Sequence, residues 1–197
     1  MATAQFFPLN ASTIALDTIV PNNVNSVTIQ LLSSSGIALE SYQYMDWAGP
    51  NYDQTAWADL NGVIATDVSF EPGQGLWIQA NSTADKICTA GQVGTSDVAI
   101  TLKNGFTPAG NPFPIRVALQ DLVVNNVNTV TIQLLSSSGV ALESYQYMDW
   151  AGPNYDQTAW ADLNGTIAEG IYIEPGQGLW IQGSSTSDII TFPAPEL

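Results

Sequence analysis

Residues 22–62 read NNVNSVTIQLLSSSGIALESYQYMDWAGPNYDQTAWADLNG, and residues 125–165 repeat them with two changes, Ser26 to Thr129 and Ile37 to Val140. In the first run Val27, Ile29 and Leu31 point one way and Thr28 and Gln30 the other, the period of a half-buried strand. SSSG at 33–36 is turn chemistry. Residues 37–45 then alternate again, with Ile37, Leu39, Ser41 and Gln43 on one face and Ala38, Glu40, Tyr42 and Tyr44 on the other. Two alternating runs joined by a short Ser/Gly loop predict a β-hairpin. Around it, DWAGPNYDQ at 46–54 reads as a loop, Asn61-Gly62 as a tight turn and 63–70 as a further strand. A second shared block, EPGQGLWIQ, occupies 71–79 and 174–182, at the same offset of 103 residues.

A duplication that preserves spacing as well as content predicts two modules, each large enough to bury a core without staples. The expected division is module one at 1–90, a linker at 91–97 and module two at 98–197. No stretch holds a helical period. The expected fold is all-β: two tandem β-sandwich or barrel-like modules of about 100 residues with short antiparallel strands. Residues 106–114, FTPAGNPFP, carry too much Pro and Gly for a regular element.

Charge narrows the function. Eighteen acidic residues face three basic ones, with no histidine, for a net charge of −15. Nucleic acid and anionic membranes both need a basic footprint and are not expected as partners. No apolar run approaches the ~20 residues of a membrane span. Lys86, Lys103 and Arg116 all lie outside the copied blocks. The opening MATAQFFPLN has neither the basic nor the long apolar segment of a signal peptide. With so few amines and so much Ser, Thr, Asn and Gln, the chain reads as secreted or cell-surface, starting near a processed terminus. Cys88 has no internal partner, and Thr191 stands at its place in the second copy.

The early residues Gly105, Gly110, Asn111, Pro112 and Pro114 and the late residues Pro175, Gly176, Gly178, Trp180 and Ile181 form a recognisable order. It resembles the β-rich modules of secreted and cell-surface bacterial proteins, which carry an early GNPxP and a late PGxGxWI motif. The resemblance covers about residues 98–192, with Phe106 where the family has Trp. Module one keeps the late motif at Pro72, Gly73, Gly75, Trp77 and Ile78 but replaces GNPFP by Phe7-Pro8-Leu9-Asn10. The resemblance implies an extracellular bacterial β-protein.

Without histidine, the Ser-His-Asp, Cys-His and His-metal arrangements are absent, and no Lys falls inside the repeats. Carboxylates recur at Glu40, Asp46, Asp53, Asp59 and Glu71 and at their twins Glu143, Asp149, Asp156, Asp162 and Glu174. In turns such Asp residues accept local backbone hydrogen bonds, so no enzyme is expected. No cofactor is expected either. The oxygen-rich loops suit Ca²⁺ if any ion, through Asp46, Asn51 and Asp53 and through Asp149, Asn154 and Asp156. Trp77 and Trp180 are expected at or near the core. Trp47, Tyr52 and Asp53, with Trp150, Tyr155 and Asp156, are the expected binding residues of the two loops.

Hydrophobic cores tolerate substitution, so packing does not demand that loops match. Two identical surfaces suit self-assembly, since repeated head-to-tail contacts build fibres when the rotation does not close. The expected function is a non-catalytic extracellular structural protein that assembles into a surface fibre or layer, with itself as partner. Residues 2–9 are the candidate donated strand. The alternative is a bivalent carbohydrate-binding protein, with flat rings beside Asp and Asn taking a glycan.

Overall fold

The computed structural model describes residues 2–3, 13–32, 37–88, 94–136 and 138–196, the side chains of residues 2, 3 and 88 excepted. The chain is all-β. Its only helical turns among the described residues are two short 3₁₀ segments, Leu16–Thr18 and Leu119–Asp121. The first half holds β1 (Ala2–Thr3), β2 (Ile14–Ala15), β3 (Val20–Pro21), β4 (Val27–Leu32), β5 (Ala38–Ala48), β6 (Gln54–Asp59), β7 (Ser69–Phe70), β8 (Leu76–Ala80) and β9 (Ile87–Cys88). The second holds β10 (Val98–Thr101), β11 (Gly105–Gly110), β12 (Val117–Ala118), β13 (Val123–Val124), β14 (Thr131–Leu135), β15 (Ala141–Ala151), β16 (Gln157–Asp162), β17 (Tyr172–Ile173), β18 (Gly178–Gly183) and β19 (Ile189–Phe192).

The hairpin read from residues 27–45 is β4–β5, antiparallel, with Ile29 opposite Tyr42. It sits inside a five-stranded sheet ordered β1-β8-β4-β5-β6, and the second half repeats this as β11-β18-β14-β15-β16. Alternation sorts the two faces. Val27, Ile29, Leu76 and Ile78 bury their side chains together with Trp57. Opposite them lie Ile14, Leu16, Ile19 and Phe70, from the short pairs and the first 3₁₀ turn. The second core repeats the plan around Ile132, Trp160, Leu179 and Ile181, and adds Leu102, Phe113 and Phe192. Each core tryptophan donates its ring N–H to a buried carbonyl, Trp57 to Ile19 at 2.8 Å and Trp160 to Leu122 at 3.3 Å. That bond answers the ring's one polar atom, so a large apolar surface is buried without an unmet donor.

Three expectations change. Residues 46–48 are strand, not loop: β5 runs to Ala48, and its register with β6 shifts between Met45 and Ala48. Asp46 and Trp47 fall in that bulge, which turns both outward. Only residues 69–70 of the expected strand 63–70 are strand, with a single bridge at Ile64. Asp67 there takes a left-handed φ of 60°, which breaks an extended run. Residues 105–110 form β11 despite Pro108. β11 is an edge strand, and the N-side of Pro108 faces away from β18, so no ladder bond is lost.

The GNPFP residues have a physical task. Asn111 is fully buried. Its amide donates to the carbonyls of Ile115 at 2.7 Å and Ile173 at 3.0 Å, and its carbonyl accepts from Phe113 N–H at 2.9 Å. This pins the turn that inserts Phe113 into the core. The first-half residues at this place, and the turn 33–36, lie outside the described residues, as do 91–93 of the expected linker.

Candidate functional site

Three surfaces draw the singled-out residues together: the twin turns after β5 and β15, a tyrosine–carboxylate groove, and the contact between the two halves.

In the twin turns, Gly49 N–H donates to Gly62 C=O at 2.8 Å and Tyr52 N–H to Gly49 C=O at 3.1 Å, with matching bonds at Gly152 and Tyr155. Tyr52 and Tyr155 both take φ of 56°, left-handed and uncommon for a bulky residue. Each ring edge rests over a glycine, Gly62 or Gly165, while 64% of the residue stays exposed. Trp47 and Trp150 are each 43% exposed from their bulges. Asp53 and Asp156 are exposed beside the tyrosines. Tyr155 fronts an open cleft of about 470 Å³ completed by Pro153, Asn164, Thr166 and Glu169.

The Ca²⁺ candidates are arranged differently. Asp46 and Asp149 accept from Asn25 and Asn128 at 2.7 and 2.9 Å, and the same asparagines accept from the backbone N–H groups of Asp46 and Asp149. These are structural clasps across the bulge. Asn51, Asp53, Asn154 and Asp156 are exposed. Among the described residues no three Asp, Glu or Cys groups lie close enough together to hold a metal ion.

The groove beside the cleft, about 520 Å³, contains Glu143, Tyr145, Asp162 and Glu169. Glu143 and Asp162 are among the recurring carboxylates of the sequence, and Glu169 is not. Tyr145 and its twin Tyr42 face the cores and donate their hydroxyls to Glu143 and Glu40. Burial first, and then the bond to a carboxylate, pushes both phenols up to about 12. Asp162 is held below the usual carboxylate value, chiefly by the Thr166 backbone N–H and further by Asn164. Asp59 is held down in the same way by Val63 and Asn61. An acid catalyst needs the opposite, a raised carboxyl. The signal for these roles was readable as Asp-x-Asn-Gly, a side chain closing its own turn.

The contact between halves was not foreseen. The 71–75 turn of the first half lies along β11: Gly75 N–H donates to Pro108 C=O at 3.2 Å and Gly110 N–H to Gly73 C=O at 3.3 Å. Gln74 bridges Ala109 antiparallel. Gly73, at φ 77°, sits so close to Ile100 that a Cβ would lie 2.8 Å from its Cδ1. Trp77 is half-buried on the face away from its own core, packed with Trp180 against Leu135. Its ring also covers Gly139, where a Cβ would stand 2.2 Å away. Trp180 meets Phe106 edge-on at 5.9 Å. Neither tryptophan belongs to its half's main core, because alternation on β8 and β18 gives that side to their neighbours. No helix among the described residues is long and apolar enough to cross a membrane. Comparisons with protein-family models, curated proteins and solved structures found no match to this chain.

Proposed function

We propose that this is a non-catalytic extracellular structural protein that assembles with copies of itself, end to end. The observation that carries this reading is the contact between its halves. One side of it is the 71–75 turn with Trp77, and the other is an edge strand with Leu135 and Gly139. The two sides differ, so the contact is heterologous, the type that propagates into a fibre when the rotation does not close. The second half carries the same turn chemistry at 174–178, with Glu174 N–H bonded to the Gln177 side chain as Glu71 is to Gln74. In the assembly, that turn meets the sheet edge that β1 forms on the next chain. β1 itself pairs with β8 of its own half, and the rest of the 2–9 segment is outside the described residues. The net charge of −15 favours the acidic exterior of a secreted or cell-surface protein over a nucleic-acid or anionic-membrane partner.

Electron microscopy and light scattering on the purified chain test this. The wild type should form elongated particles as concentration rises. Gly176→Val, which places a β-branched residue at φ 73°, should stop growth while leaving circular dichroism unchanged. Particles of one chain only at every concentration would refute the proposal.

A second reading, a bivalent glycan binder, is favoured by one observation. Tyr52 and Tyr155 are held exposed by a strained backbone in both copies, and strain of this kind collects at functional positions. Glycan-array binding lost on Tyr52→Ala plus Tyr155→Ala would support it, and an array without signal would remove it.

A further inference from the structure

Two kinds of surface meet in the groove of about 520 Å³ in the second half. One is apolar. Leu142 and Leu163 line the groove with 61% and 72% of their surfaces exposed, and Ile171 lines it half-buried, packed against the second core. The other is anionic, formed by Glu143, Asp162 and Glu169. Two of these carboxylates are already held in place. Glu143 accepts from the Tyr145 hydroxyl, and Asp162 accepts from the backbone N–H groups of Asn164 and Thr166 at 2.8 and 2.9 Å. Acceptors fixed in advance leave less to be ordered when a ligand binds.

Single apolar residues on a surface need no explanation, but two exposed leucines sharing one groove with three carboxylates have a common complement. A basic side chain has an aliphatic stem that lies along apolar surface and a charged head that stays polar, so one Arg or Lys meets both walls at once. The Arg fork can also take a carboxylate through two parallel bonds. The chain does not fill the groove with a cation of its own. Its three are Lys86, Lys103 and Arg116, none of which lines the groove, and Arg116 lies over the Tyr172 ring at 4.4 Å. A second copy would bring eighteen acidic residues and only the same three cations, so like charge opposes it as the occupant.

We propose that this groove docks a basic segment of another polypeptide, one in which Arg or Lys stands beside aliphatic residues. The basic heads meet Glu143, Asp162 and Glu169, and the stems and aliphatic neighbours cover Leu142 and Leu163. The first half carries most of the same set. Leu39 and Leu60 are exposed, Glu40 accepts from the Tyr42 hydroxyl at 2.6 Å, and Asp59 accepts from Asn61 and Val63 N–H. At the place of Glu169, however, stands Thr66. The third carboxylate therefore makes the second half the tighter site. This surface is separate from the turn contact at 71–75 and does not depend on assembly through it.

The probe is the peptide acetyl-Leu-Arg-Leu-Arg-amide, titrated into the full chain and followed by nuclear magnetic resonance. The expected result is shift changes centred on Leu142, Leu163 and Glu169, with affinity falling at least about tenfold as ionic strength rises from about 0.05 to about 0.5 M. A peptide with Glu in place of Arg should not bind, and one with Ser in place of Leu should bind more weakly. Glu169→Lys should weaken binding by about tenfold or more, because it turns an attraction into a repulsion. Thr66→Glu should do the reverse in the first half and raise the number of equally tight sites from one to two. Glu169 and Thr66 are both exposed, and an unchanged circular dichroism spectrum checks that these variants fold. Equal binding of the Arg and Glu peptides, shifts centred elsewhere, or a Thr66→Glu chain that gains no site would overturn the proposal. Self-association of the wild type that disappears in Glu169→Lys would give the groove to a second copy and overturn it as well. The peptide titration works on a strictly monomeric chain, so its failure is distinct from failure of the assembly reading.

Discussion

Tyr42 and Tyr145 show how a few neighbours set a residue's chemistry. Each phenol is raised to about 12 by burial and by a carboxylate that accepts its hydrogen bond. In the folded state the neutral form is favoured, so this stability is fully present below the ordinary phenol value near 10 and is lost as pH rises from there through about 12. An ultraviolet titration should show two of the seven tyrosines ionising last, and Tyr42→Phe with Tyr145→Phe should delete that phase. The aspartates work the other way. Asp59, Asp85 and Asp162 are held below the usual value, mainly by Val63 N–H, the Asn23 amide and Thr166 N–H respectively. For Asp188 burial pushes upward but is outweighed by bonds from Asn126, Ser185 and Ser184. Their stabilisation is present above the ordinary carboxyl value and disappears as pH falls through their lowered values. Urea midpoints should therefore hold steady down to about pH 5 and then drop. Asp162→Asn with Asp59→Asn should flatten that drop, and an unchanged drop would contradict the assignment.

At the scale of elements, what could be read from sequence was what local alternation controls. The β4–β5 hairpin followed from residues 27–45 because one face is buried and the other is not, which a period of two records. Residues 63–70 alternate nearly as well yet hold only a two-residue strand, because Asp59 binds Val63 N–H and Asp67 turns left-handed. Pro108 argued against a strand, but the rule applies to interior strands, and edge status is a tertiary fact. The clasp of Asn25 on Asp46 and the phenol of Tyr42 on Glu40 were equally hidden, since bulges and register decide them. Trp57 and Trp160 recur with the other aromatics of the two copies, and nothing local marks them as the tryptophans at the centres of the cores. Trp160→Ala should cost about 3–5 kcal/mol by urea unfolding, the range for a fully buried aromatic. A loss under about 1 kcal/mol would show that the site is loosely packed.

At the scale of the whole molecule, the duplication was legible and its consequence was not. EPGQG reads as a turn wherever it docks, and nothing local says that Gly73 and Gly75 lie along another strand. Gly73→Val meets both a left-handed φ and Ile100, so it should loosen the halves while leaving each core intact. X-ray scattering should then show a larger radius of gyration, and an unchanged profile would deny the joint its role. The central claim is that this joint, whose turn side recurs at 174–178, is also made between chains. Sedimentation velocity over a wide concentration range tests it most directly. The account predicts a sedimentation coefficient that climbs continuously with concentration and does not stop at a dimer. A single boundary at the mass of one chain throughout would contradict it.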